Sequence, residues 1–437
     1  MSIPLTFAER LLAGQQQRKR LKRTGHAEWD PSVRKQDPLK LLQRAVKGRI
    51  PSLVKLKYER MSATPFTWFR GSASVMAYDL SLSPDTAILN QICGDAHVSN
   101  LGAYEGPDGR LHFDINDFDE TMPAPFEWDV KRMATSILLA GRDAGAKDSH
   151  CRGAAETMLE SYRDSINALT SKSMLDVARH QVGRIVDIPV VEKILADAKQ
   201  ATPLHTLDTL TSIDPKDPHK ARVFNSNPPL LQRVTGPTAQ AVIDSLTTYA
   251  ESLQPERRHL LARYRIVDVG FKVVGNGAVG LRDYIVYLEG NGPDDPLFLQ
   301  IKQEVASAYA PYLGEIAAAP IHQGRRVVEG ARAMQFQSDP FLGWTNFDGR
   351  DYLVRQLNDH KATIDVTALK AAVLPEYAAV CGEVLARGHA RAGDCVVISG
   401  YLGDSDRFDQ AILKYAQAYA DQCEVDWKKF TAWLKSV

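Results

Sequence analysis

The chain has 437 residues, 44% of them hydrophobic and 24% charged, with 53 Lys plus Arg against 53 Asp plus Glu. That composition excludes a disordered or fibrous chain and suits two or three domains or one bilobal body with a sizeable core. Its apolar runs are too short for a membrane span, and its five scattered cysteines show neither CxxC nor Cys/His spacing, which argues against a disulfide framework or a zinc site and makes a reducing cytoplasm the expected compartment.

The first segment, residues 1–60, reads as a basic arm with short helices. It carries 15 Lys/Arg against 5 Asp/Glu, whereas the rest of the chain carries 38 against 48. Glu9 and Arg10 interrupt its first apolar run, so it is not read as a signal peptide. The cluster Arg18, Lys19, Arg20, Lys22, Arg23 could meet nucleic acid, but no zinc finger or aromatic RNA motif accompanies it. The favoured reading is an arm packed on the acidic body. Residues 61–264 read as the first part of a helical lobe. Within it ILNQIC (88–93) and LHFDINDF (111–118) look like short strands separated by the turn EGPDGR. Val130, Met133, Ala134, Ile137 and Leu138 mark an amphipathic helix from Glu127. Residues 265–358 are β-rich, with strands at RIVDVGFKVV, LRDYIVYLE, LFLQIK and DYLVRQL and a helix near 321–337. Residues 359–437 return to helix and read as the second part of the helical lobe. The fold class is therefore α+β, two-lobed.

Two clusters carry chemistry. In CGDAHVSNLG (93–102), Asp95 and Asn100 have the D-x-x-x-x-N spacing of a phosphoryl-transfer loop, which needs a carboxylate beside the acceptor hydroxyl and an amide oxygen on a metal. Asp117, in Asp117-Phe118-Asp119, then stands where a kinase holds Mg²⁺ with the DFG aspartate. Asp114, Asp117, Asp119 and Glu120 fall close together, and such acids repel one another unless a cation compensates. Asp114 is the alternative metal ligand. His97 is expected only to orient the loop. Far downstream, Gly275, Asn276, Gly277, Ala278, Val279 and Gly280 form GxGxxG between two strands rather than before a helix, which is the order of a kinase phosphate-covering loop. Lys302 closes the apolar strand LFLQIK and shares a face with Phe298 and Gln300. Glu329 on the following helix is the first choice for its carboxylate partner, with Glu304 and Glu315 as alternatives.

MSATPFTWFRGSASVMAYDL, CGDAHVSNLG, FDINDFDET…PFEWDVKRMA, GRRVVEGARAM and LARGHARAGD together resemble the bacterial family catalogued as domain of unknown function 2252, over nearly the whole chain. Locally, GDAHVSN followed by INDFDE is also similar to the GDxHxxN…IDFxD pattern of aminoglycoside- and choline-kinase-like enzymes. This likeness implies a protein-kinase-like fold binding ATP and Mg²⁺. The order departs from it, because the glycine loop and lysine follow the catalytic loop instead of preceding it. Circular permutation is favoured over convergence, since each half keeps its parts in order.

The resulting expectation is a Mg²⁺- and ATP-dependent phosphotransferase acting on a small-molecule or protein hydroxyl. Asp95, Lys302 and Glu329 would be catalytic, the segment 275–280 and Lys302 would bind nucleotide, and Asn100 with Asp117 or Asp114 would hold the metal. Three rivals remain: a non-catalytic nucleotide-binding regulator, a nucleotidyltransferase, and a metal-dependent phosphoesterase. The last needs an upstream DxH and a downstream GNH that the sequence lacks.

Overall fold

The apolar stripe Val130, Met133, Ala134, Ile137, Leu138 is fully buried on the helix Glu127–Asp143 in the computed structural model, which describes residues 4–181, 188–214, 222–275, 277–317, 321–357 and 361–436. That helix packs on Asp148–Thr170, and both are joined by Leu374–Ala392 and Arg407–Leu434 from the other end of the chain. Met158, Tyr162, Tyr377, Val384, Ile412 and Tyr415 share one core with Ile137 and Leu138. The helices beyond residue 360 thus belong to the same body as the first helical part. Among the described residues, no helix is long and apolar enough to cross a membrane.

The basic arm is part of this body. Helix Phe7–Arg20 starts on a Thr6/Glu9 capping box and lies against Cys395–Leu402, where Gly14 has no room for a side chain, since a Cβ there would stand 2.0 Å from the Val397 carbonyl. Arg18 donates to the carbonyls of Gly400 and Tyr401, and Arg23 to that of Leu402, so these two members of the basic cluster cap the negative end of Cys395–Leu402. Arg34 is buried between Asp79 and Asp426.

The β-rich lobe is one antiparallel sheet. Its strands lie in the spatial order Gly343–Phe347, Arg350–Gln356, Pro296–Glu304, Asp283–Glu289, Arg265–Lys272, Leu231–Val234. Strand Leu231–Val234 extends the sheet before residue 265, and helix Gly236–Ser252 covers one face with Val242 and Tyr249 against Val286, Leu299 and Ile301. Gly343–Phe347, with its WTNF core, was not anticipated. Helix Gln323–Met334 connects the Lys302 strand to these last two strands and packs on both the sheet and Leu374–Ala392.

One pairing differs from expectation. Leu111–Ile115 pairs with Leu101–Glu105, a strand hidden inside LGAYE, while Leu89–Ile92 pairs with Met122–Pro125. The turn EGPDGR therefore closes a hairpin between the former two strands.

Candidate functional site between the lobes

Strand Leu89–Ile92 delivers the chain into the turn 93–97. Gly94 makes the turn with φ +79°, and a Cβ there would lie 2.2 Å from the Glu120 carbonyl, so glycine is what allows the two acidic loops to cross. Asp129, in the first turn of helix Glu127–Asp143, accepts the N–H groups of Cys93 (2.8 Å) and Gly94 (3.0 Å). It is backed by His389, whose Nε2 lies 3.3 Å away and whose Nδ1 meets the Tyr162 hydroxyl at 2.8 Å. Asp129 thus ties the loop to the helical body. His389 stands in the last turn of its helix and is buried.

Asp95 Oδ1 accepts from Nε of the buried Arg132 at 2.8 Å and from its Nη2, while Oδ2 lies 3.7 Å from His97 Nε2. Burial pushes His97 down to about 3, against the pull of Asp95, so the ring is neutral. Asn100 Nδ2 donates to the main-chain carbonyls of Asp95 (3.0 Å) and Asp117 (3.3 Å). The amide nitrogen is spent on joining the two loops, which leaves Oδ1 as the atom able to meet a cation.

Strand Leu111–Ile115 ends before Asp117, and the chain turns toward the small lobe. There Lys302 pairs with Asp119, and its Nζ lies 3.7 Å from Asp117 Oδ1 and 3.9 Å from Glu304 Oε1. Burial opposes the Lys302 charge, but Asp117, Asp119 and Glu304 outweigh it and hold the ammonium above its ordinary range. Burial also works against Asp119, yet Lys302 keeps its carboxyl below the usual range. Asp117 is raised by its deep position in the cleft and by Asp119, although its side chain is 40% open to the cavity. Glu304 is pushed well up by burial and by Asp119, against the pull of Lys302. Arg326 fastens the loop by donating to the carbonyls of Asp119 (2.8 Å), Thr121 (2.7 Å) and Val305 (2.9 Å).

The glycine segment closes the other side. Gly275 (φ +73°), Gly277 and Ala278 line the cavity, whereas Val279 is buried and Gly280 rests on Arg49; Asn276 lies outside the described residues. The arm holds the segment by its carbonyls. Arg49 donates to Gly277 and Val279 at 2.7 Å each, Lys57 to Gly277 at 3.0 Å and Arg60 to Gly275 at 2.5 Å. Between the lobes lies a cavity of about 510 Å³, within the usual range for a small-molecule ligand. Asp95, Asn100, Asp117, Asp119 and Lys302 all line it.

Besides Val279 and Gly280, Glu329 and Asp114 stand away from the cavity. Glu329 is not the partner of Lys302. Its helix turns it outward, its side chain is 48% exposed, and it pairs with Arg325 at 2.7 Å in an i,i+4 contact. Asp119 takes the role expected of Glu329, with Glu304 behind it, and Glu315 is exposed. Asp114 does not face the cavity. It is buried, pairs with Arg387, and accepts the N–H groups of Ile115 and Phe336 at 2.8 Å, which leaves nothing for a metal.

Residues 49–433 match a family model described as "Uncharacterized protein conserved in bacteria (DUF2252)". The chain belongs to this family. No curated protein and no solved structure matches it. In this DUF2252 chain the sequence reading missed Asp119, Lys57 and Arg132. Asp119 had a signal in the cluster of acids that includes Asp117, and a turn in which its N–H donates to Asp117 Oδ1 at 3.3 Å keeps the two carboxylates together. Lys57 and Arg132 had none, being single cations in ordinary helical runs.

Proposed function

We propose that this chain is a Mg²⁺- and ATP-dependent phosphotransferase of kinase-like build, with its parts in permuted order. The observation that carries the proposal is the meeting of Lys302 with Asp117 and Asp119 across the lobes, 3.7 Å from the Asp117 carboxylate, beneath a glycine segment and beside Asp95 and Asn100. The order in space favours the same reading. A glycine segment joins two strands, the next strand carries the lysine, and a helix leads on from it, which is the layout of a kinase phosphate-binding lobe. Permutation also needs the two helical parts to form one body, and helix Leu374–Ala392 shares a core with Glu127–Asp143 and Asp148–Thr170.

The donor set fits a magnesium ion held partly by phosphates: one carboxylate from Asp117 and one amide oxygen from Asn100. When bound, the ion would neutralise charge on the phosphate oxygens. The ammonium of Lys302 is charged and fixed by Asp119, so it can neutralise a phosphate without reorganising. Gly275, Gly277 and Ala278, which line the cavity, would cover the ligand. Asp95 Oδ2, left over from the Arg132 contact, orients the acceptor hydroxyl and takes its proton as that oxygen bonds to the γ-phosphorus and the bond to the ADP oxygen breaks. Water can stand in for the acceptor in the test. Asp95→Asn should keep Mg·ADP binding within about twofold and reduce phosphate release from ATP by about a hundredfold or more. Full turnover in that variant would remove Asp95 from the chemistry.

A further inference from the structure

The cavity has a second cationic element that nucleotide binding through Lys302 does not use. Arg70 closes the short helix Pro65–Gly71, and its guanidinium lines the cavity. Its Cζ lies over the Phe66 ring at 5.9 Å from the centroid, and the Phe66 and His97 rings meet edge-on at 6.3 Å, with His97 beside Asp95. Arg70 therefore stands on the Asp95–His97 side, where the acceptor would bind, while Lys302 stands on the Asp119 side.

Three other arginines lining the cavity are committed to the protein itself. Arg44 donates to Gln36 and the Lys40 carbonyl, Arg49 to the glycine segment, and Arg355 to Gln300 and the Asn116 carbonyl. Among the described residues, no hydrogen bond or ion pair engages Arg70, and its Nε is buried without a partner. Burial works against its charge, with Asp95 and Asp117 pulling the other way, yet a guanidinium stays protonated. The residue is part-exposed and only Nε is buried, so the two terminal amino groups are left as open donors at the cavity, where a ligand could take them. Its planar geometry matches an oxyanion, which it can take with two parallel hydrogen bonds.

We infer that Arg70 heads an anion subsite beside Asp95, so that the molecule on the acceptor side carries a phosphate or carboxylate as well as its hydroxyl. The word acceptor rests on the phosphotransferase reading; the anion subsite does not. The hydroxyl would meet Asp95 Oδ2 and the anion Arg70, which fixes the molecule at two points and selects against neutral alcohols.

The test compares glycerol 3-phosphate, glycerate and glycerol, titrated into the full chain and followed by thermal shift and calorimetry, with Mg·ADP titrated separately. At least one of the two anionic probes should bind at least about tenfold more tightly than glycerol, and which of them does so distinguishes a phosphate from a carboxylate subsite. Arg70→Gln should abolish that preference and leave the Mg·ADP affinity within about twofold. It breaks no internal hydrogen bond, so the unliganded variant should melt close to the parent. Arg70→Lys should recover only part of the preference, because the charge returns without the fork. Anion binding that survives in Arg70→Gln, equal affinity for all three probes, or a loss confined to Mg·ADP would overturn the inference. If Mg·ADP fails to bind the parent while the anion still binds through Arg70, the nucleotide reading falls and the anion subsite stands.

Discussion

At the scale of single residues, neighbouring acids have opposite duties. Asp114 is locked to Arg387 in the core, while Asp117 opens to the cavity three positions later. The strand alternation separates them, and the strand end at Ile115 completes the separation. Their substitutions should therefore differ in kind. Asp117→Ala should weaken Mg·ATP by about tenfold or more, with little effect on metal-free ATP or on stability, since only the metal complex uses the carboxylate. Asp114→Ala strands a buried guanidinium and should cost about 3 to 5 kcal/mol of stability. Calorimetric titration with and without Mg²⁺, beside urea unfolding of both variants, measures the contrast. A metal-specific loss in Asp114→Ala, or none in Asp117→Ala, would move the ligand. Asp95, Asn100, Asp117 and Lys302 were legible because each sits in a spaced motif. Glu329 misled because a helix offers several faces, and nothing in GRRVVEGARAM says which one meets the strand.

At the scale of elements, the sheet places a second carboxyl behind the lysine. Asp283 is directly opposite Lys302 in the strand register, buried, with Oδ2 accepting from Gln300 at 2.7 Å and Oδ1 without a partner among the described residues. Burial pushes it up to about 7, although Lys302 pulls it down. An unfolded aspartate titrates near about 4. Between about pH 4 and 7 the folded chain therefore holds a proton that the unfolded chain has lost, so this group makes stability fall as pH rises through that window. Asp283→Asn should flatten that part of the stability–pH curve and leave the variant more stable than the parent at pH 8. Urea unfolding at pH 5 and pH 8 reads it, and an unchanged slope would mean Asp283 is ionised in the fold. The strands around Lys302 were readable, although buried on both faces, because long apolar and aromatic runs flank the turn GNGPDDP. Strands Leu101–Glu105 and Gly343–Phe347 were not. The former is buried almost throughout and the latter is broken by polar positions, so neither shows a clean period of two.

At the scale of the whole molecule, one cavity depends on four distant stretches of chain. The arm holds the glycine segment through Arg49, Lys57 and Arg60, the first helical part supplies Asp95, Asn100 and Asp117, the sheet supplies Lys302, and the last helices support the loops through His389 and Arg387. The order of helical and strand-like segments along the chain pointed to the α+β class, and motif order suggested that Lys302 and Asp117 share a cleft. The arm's place against the glycine segment was beyond sequence reading, because its basic residues bind main-chain carbonyls, and carbonyls leave no mark in a sequence. The central claim is that one nucleotide, with its metal, bridges Lys302 and Asp117 across the cleft. A thermal-shift titration of the parent, Lys302→Met and Asp117→Ala with ATP, ADP and GTP, each with and without Mg²⁺, tests it most directly, because a ligand bound only by the native state raises the melting temperature. The parent should show a rise with a nucleotide that is larger with Mg²⁺; Lys302→Met should lose the rise in both conditions, and Asp117→Ala only its magnesium-dependent part. A parent that shows no magnesium-dependent shift with any nucleotide would contradict the claim.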